Sequence, residues 1–162
     1  MTRPLITRPL TATGFAPWGD VIEVSGPPDK IINQGMCGRH HDLAGLDFTD
    51  GRAGISLFNA KARHLPVTLE MVERHPDGTQ AFIPMTRTPF LVVVADDNAG
   101  TPTNLQAFVA TGGQSVNLRR GVWHGVLTPL EQDGIYAVVD RIGNGPNLEE
   151  FWFDEAYLVD RQ

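Results

Sequence analysis

Leu65-Pro66-Val67-Thr68-Leu69-Glu70-Met71-Val72-Glu73-Arg74-His75-Pro76-Asp77-Gly78-Thr79-Gln80-Ala81-Phe82-Ile83 is the stretch on which the fold turns. Leu65, Val67, Leu69 and Met71 are apolar at every second position, the period of a half-buried strand. Glu73 and His75 continue that parity, so an unbroken strand would aim both polar groups at the buried side. Pro76-Asp77-Gly78 then supplies the residues of a hairpin turn. On the far side of the turn, Gln80 and Phe82 share a face.

Further β-rich runs of this kind lie at 20–24, 55–59, 90–95, 105–110, 115–118, 122–127 and 135–140, beside 68–75 and 79–83 from the stretch itself. Gly112-Gly113 and Asp133-Gly134 are two more hairpin signals. The 17 Gly and 12 Pro are spread along the chain, as frequent turns require, and do not form one linker. A short helix is expected near 11–15, and 148–157 reads equally as strand or helix. The pattern predicts an all-β barrel or sandwich, in one domain spanning residues 1–162. In the run 122–126, Val122, His124 and Val126 share a face, so His124 projects among apolar neighbours. A polar group there costs free energy unless it is paired or used.

Composition narrows the function. Net charge is −6, from 13 Lys and Arg against 19 Asp and Glu, which argues against a phosphate backbone as partner. A small anionic substrate needs only a few placed arginines. Cys37 is the single cysteine, so no internal disulfide forms and a reducing, cytoplasmic setting is expected. The longest strongly apolar run, 90–95, is far short of the ~20 residues of a membrane helix, so no membrane partner is expected.

Glu73-x-His75-x4-Gln80, followed by Gly121-x2-His124, resembles the cupin pattern. There, H-x-H-x4-E and G-x2-H bring four residues to a metal inside the barrel. Here Glu73 stands for the first His, Gln80 for the Glu, and Arg119 for the second motif's usual Pro. Longer segments resemble one cupin family, the ureidoglycolate lyases. They are Phe15-Ala16-x2-Gly19-Asp20-Val21-Ile22, Arg39-x-His41-Asp42-Leu43, 73–85, Val116-Asn117-x2-Arg120-x-Val122-Trp123-His124, and Asp140-Arg141. Gly125 is a departure, since relatives can carry a second His there.

The resemblance implies a single cupin-like antiparallel β-barrel with little helix, and a homodimer. It implies cleavage of ureidoglycolate, a carbinolamine bearing a carboxylate, into glyoxylate and urea during allantoin breakdown. That reaction needs a base for the hydroxyl proton, an acid for the departing nitrogen and a cation for the carboxylate. His124, His75 and Glu73 are the expected proton-transfer groups. Arg39, Arg120, Arg141 and Gln80 are the expected substrate contacts. Glu73, His75, Gln80 and His124 are the candidate ligands of a loosely bound divalent metal, with nickel suggested by the family. No organic cofactor is expected. Arg74 and Arg119 fall on the opposite parity and read as solvated. Two other activities compete: an amidohydrolase releasing ammonia from ureidoglycolate, and a non-catalytic cupin that binds a small acid.

Overall fold

Phe90-Leu91-Val92-Val93-Val94-Ala95 is buried on both faces, and that fixes the layering. Phe90, Val92 and Val94 join one core with Phe15, Trp18, Phe82, Phe108, Val116 and Tyr136. Leu91, Val93 and Ala95 join a second core with Val67, Leu69, Val72, Trp123 and Val159. A continuous apolar run of this length is what a strand sandwiched between two cores requires.

The computed structural model describes residues 2–162. Its strands are β1 (Arg3–Pro9), β2 (Gly19–Ile22), β3 (Lys30–Ile32), β4 (Cys37–Arg39), β5 (Arg52–Ala60), β6 (Val67–Arg74) and β7 (Gln80–Pro84). They continue as β8 (Phe90–Asn98), β9 (Thr101–Ala110), β10 (Ser115–Leu118), β11 (Trp123–His124), β12 (Thr128–Pro129), β13 (Gly134–Ile142) and β14 (Glu149–Asp160). Strands take 57% of the chain and helix 4%, so the fold is all-β. The short helix α1 (Ala12–Phe15) is capped by Thr11, whose hydroxyl accepts the Gly14 N–H at 3.1 Å.

One sheet runs β11-β6-β14-β1-β9-β8-β12 and closes on itself where β11 also pairs with β8. Six of its strands thus form a closed barrel around the second core. A five-stranded sheet, β2-β10-β7-β13-β5, covers one side and encloses the first core. The cupin-like barrel with little helix is therefore present. Its pairings are antiparallel except at β1, which lies parallel to both β14 and β9. All nine runs picked out by pattern overlap strands, although of 122–127 only Trp123–His124 is strand, and 148–157 resolves as strand from Glu149 onward.

The alternation along β6 is broken. Val67, Leu69 and Val72 all enter the barrel core, although Val72 has the opposite parity. The break coincides with a bulge in the partner strand, where β14 shifts register between Trp152 and Tyr157 opposite Met71 and Leu69. Glu73 and His75 consequently leave the barrel core and turn to the side where β11 carries His124. The expected convergence arises through a bulge and not through an unbroken strand.

Candidate active site

Three neighbouring segments build the cluster. Glu73 is the last residue but one of β6, His75 opens the turn to β7, and His124 lies on β11, directly opposite Glu73 in register. Ligand atoms of Glu73, His75 and His124 all lie within 4.8 Å of one another. The two imidazole rings are 5.2 Å apart at their centroids, and the Phe82 ring stands 6.3 Å from that of His124.

Backbone carbonyls fix both imidazoles. His75 Nδ1 donates to the Asn147 carbonyl at 2.7 Å, and His124 Nδ1 donates to the Gly125 carbonyl at 3.0 Å. With the proton on Nδ1, each Nε2 carries a lone pair. Both Nε2 atoms are buried and have no hydrogen-bond partner. His75 Nε2 lies 3.9 Å from Glu73 Oε1. Two imidazole lone pairs and a carboxylate turned toward one point form a donor set that fits a divalent cation.

Electrostatics separate the three groups. His124 is 2% exposed, and burial, with His75 adding to it, pushes its pKa down from 6.5 to about 3. It is therefore a neutral imidazole at working pH. Burial pushes the Glu73 carboxyl up from 4.5, against the pull of His75 and with a smaller push from Glu150. Glu73 thus holds a proton more readily than an ordinary carboxylate.

The His124 shift has a consequence for the metal-free chain. Unfolded, His124 takes a proton near pH 6.5; folded, it refuses one until about pH 3. The unfolded state binds more protons in that window, so the His124 contribution holds stability highest above pH 6.5 and erodes it toward pH 3. The slope is up to ~1.4 kcal/mol per pH unit. Glu73 acts in the opposite sense. Urea midpoints of the chain and of His124→Gln between pH 7.5 and 4.5 isolate the term belonging to His124. Parallel curves would show that this burial carries no such cost.

Gln80 shares the face of β7 that carries Phe82 and is 5% exposed. Its Nε2 donates to Asp140 Oδ2 at 3.3 Å, and its Oε1 is buried without a partner. The expected arginines are placed differently. Arg120 adjoins Gly121, whose N–H donates to the His75 carbonyl at 2.9 Å, and its guanidinium lies 3.5 Å from Asp47. Arg39 sits on the exposed β3–β4 hairpin, hydrogen-bonded to His41 at 2.8 Å. Arg141 is buried against Asp50 and donates to the Asn144 carbonyl at 2.9 Å. A Cβ at Gly78 would meet Phe48 and Arg141, so Arg141 also supports the turn that follows His75. Among the described residues, no hydrogen bond or ion pair joins Arg39 or Arg141 to the cluster.

Arg74, expected to be solvated, is held by Asp97 and Glu149 and lies 4.3 Å over the Trp123 ring. Gly125 packs its Cα side against Val93 and Leu69, so a histidine there would enter the barrel core and not the cluster. Two contributors were not singled out from sequence. Asn147 holds His75 through a backbone carbonyl, which carries no residue signature, and its side chain accepts the Asp77 N–H at 2.7 Å. Asp140 had a signal, since it belongs to the matched Asp140-Arg141 pair.

The family model described as ureidoglycolate lyase matches residues 2–160. The chain belongs to the ureidoglycolate lyase family. A Rhodobacter capsulatus ureidoglycolate lyase is 58% identical over 157 residues, covering 96% of this chain and 98% of that protein. Ureidoglycolate lyase 2 of Rhizobium meliloti is 48% identical, covering 97% and 98%. The ureidoglycolate lyase of a Chelativorans species is 47% identical, covering 97% and 96%. Among solved structures, RmlC from Streptococcus suis in complex with dTDP-D-xylose matches with a TM-score of 0.45 and 15% identity, over 58% of this chain and 46% of that one.

Proposed function

We propose that this member of the ureidoglycolate lyase family cleaves ureidoglycolate to glyoxylate and urea at the Glu73–His75–His124 cluster. The observation that carries the placement is the pair of buried, unpartnered Nε2 lone pairs beside a carboxylate. The reaction breaks the carbinol C–N bond. The hydroxyl loses its proton, its oxygen becomes the aldehyde carbonyl of glyoxylate, and the bonding pair leaves with the urea nitrogen.

The Glu73–His75 pair accepts the hydroxyl proton and returns it to the departing nitrogen, so no net proton is needed. A raised Glu73 is suited to both halves of that transfer. His124, kept neutral by burial, offers its lone pair to orient the hydroxyl or to hold a cation. Arg120, at the backbone step beside His75, exchanges Asp47 for the substrate carboxylate. Arg141 serves as a structural anchor, and Arg39 as a surface residue of the hairpin.

Glu73, His75 and His124, with Gln80, would hold a divalent cation, which when bound supplies Lewis-acid polarisation of the substrate oxygens. Gln80 stands where cupins carry a carboxylate, so binding is expected to be loose. Residues 1–162 act as one domain. The chain forms a two-fold homodimer, supported by Ile55, Leu57 and Ile135, exposed on one face of the second sheet. A monomeric mass at micromolar concentration would count against it. No helix among the described residues is long and apolar enough to cross a membrane. A free, exposed Cys37 suits a reducing cytoplasm.

The deciding experiment is turnover of ureidoglycolate by purified protein, with and without prior chelation. Urea and glyoxylate should appear in equal amounts. Release of ammonia instead would establish the amidohydrolase reading, and binding without turnover the small-acid sensor.

A further inference from the structure

We propose that Asp140 is a positioning residue, fixing the Gln80 amide so that its oxygen, and not its nitrogen, is presented to the Glu73–His75–His124 site. The inference rests on the reading of that cluster as the reaction site.

A primary amide has the same outline either way round, so its neighbours choose its orientation. β13 pairs with β7 through Val139 and Ala81, which brings Asp140 alongside Gln80. Gln80 Nε2 donates to Asp140 Oδ2 at 3.3 Å. A carboxylate accepts and cannot donate, so the flipped amide would set oxygen against oxygen. The bond to Asp140 therefore leaves Oε1 as the free end, and Oε1 is buried with no partner. A shielded acceptor left unpaired is costly. Its complement is a group that seeks an oxygen lone pair: an N–H of the ureido group, or a cation. An amide nitrogen in the same place could satisfy neither. Among the described residues no hydrogen bond or ion pair joins Asp140 to Glu73, His75 or His124, and its side chain meets the Gln80 amide, so it acts through that amide.

The test inverts the hydrogen bond. Gln80→Glu sets two carboxylates against each other and should lower kcat/KM by ~10–100-fold, the usual cost of disturbing a supporting partner. Adding Asp140→Asn supplies a donor in place of the lost one, and the double variant should regain roughly 10-fold over Gln80→Glu. Asp140→Asn alone can still turn an oxygen toward Nε2 and should lose less than Asp140→Ala. If Asp140 were only structural, the two losses would add and the double variant would be the worst of the set. That result would overturn the proposal.

A second measurement does not depend on turnover. The side-chain 15N–1H pair of Gln80, assigned by its disappearance in Gln80→Glu, should exchange slowly with water in the parent chain. In Asp140→Ala it should exchange fast or split between two orientations. Unchanged Gln80 resonances in a folded Asp140→Ala would also overturn the proposal. Calorimetric titration with Mn2+ identifies what Oε1 meets: a Kd weakened by Asp140→Ala points to a cation, and an unchanged Kd with a raised KM points to the ureido N–H. Should the parent chain release no urea at all, the lyase reading fails, while the amide resonances still judge Asp140.

Discussion

His124→Ala is expected to lose ~10²–10³-fold in urea release while remaining folded, the range typical for removal of a group that orients or stabilises the reacting oxygen. His124 is the most buried member of the cluster, and its Nε2 has no protein partner. A histidine serving only the fold would use that nitrogen in the protein. The loss should exceed this range if the same nitrogen holds a cation. The fold should survive because β11 is held by its main chain, paired with Glu73 on one side and with Val94 on the other. Trp123 further pins the strand, donating from Nε1 to Asp97 at 2.8 Å. Thermal unfolding and turnover measured on one sample separate the roles. A packing role would lower activity only as the folded fraction fell. A stable His124→Ala protein making glyoxylate and urea at a near-normal rate would remove His124 from the mechanism and leave Glu73 and His75 to carry it.

How much of this was legible beforehand depended on how local each signal was. Hairpin chemistry at 76–78 and the two-residue period of the short runs are local, and the strands they mark are present. The run 90–95 was visible only as an apolar stretch, because burial on both faces erases alternation. β1 escaped notice since Pro4 and Pro9 interrupt it. It tolerates them because its first half pairs with β14 and its second half with β9. The β14 bulge lies over 75 residues from the strand whose parity it reverses, so no pattern around Glu73 could disclose it. Motif spacing nevertheless named Glu73, His75 and His124, which lie together. Arginines were harder. A guanidinium is long enough to reach several partners, and only coordinates assign Arg141 to Asp50 and Arg120 to Asp47.

The largest loss of stability from a single core truncation is expected at Phe108. Its ring is 1% exposed and sits at the meeting point of the barrel wall, α1 and the second sheet. Phe15 meets it edge-on at 5.6 Å, Trp18 lies 6.0 Å away, and the Arg8 guanidinium stacks at 4.9 Å. Phe108→Ala removes the transfer free energy of the ring and leaves a cavity that this aromatic cluster can only partly close. Such changes cost ~3–5 kcal/mol, a large part of the ~5–15 kcal/mol that holds an ordinary domain together. For a chain of this size the melting temperature should fall by roughly 6–20 °C. Phe108→Leu keeps most of the volume and should cost less than half as much. Among the described residues no ring contact joins Phe108 to His75 or His124, so turnover per folded molecule should match the parent well below the melting transition. Calorimetry and steady-state assays on the same preparations would check both halves. A Phe108→Ala protein melting within a degree or two of the parent would mean that the cluster repacks freely, and that α1 is held to the barrel by something other than its aromatic contacts.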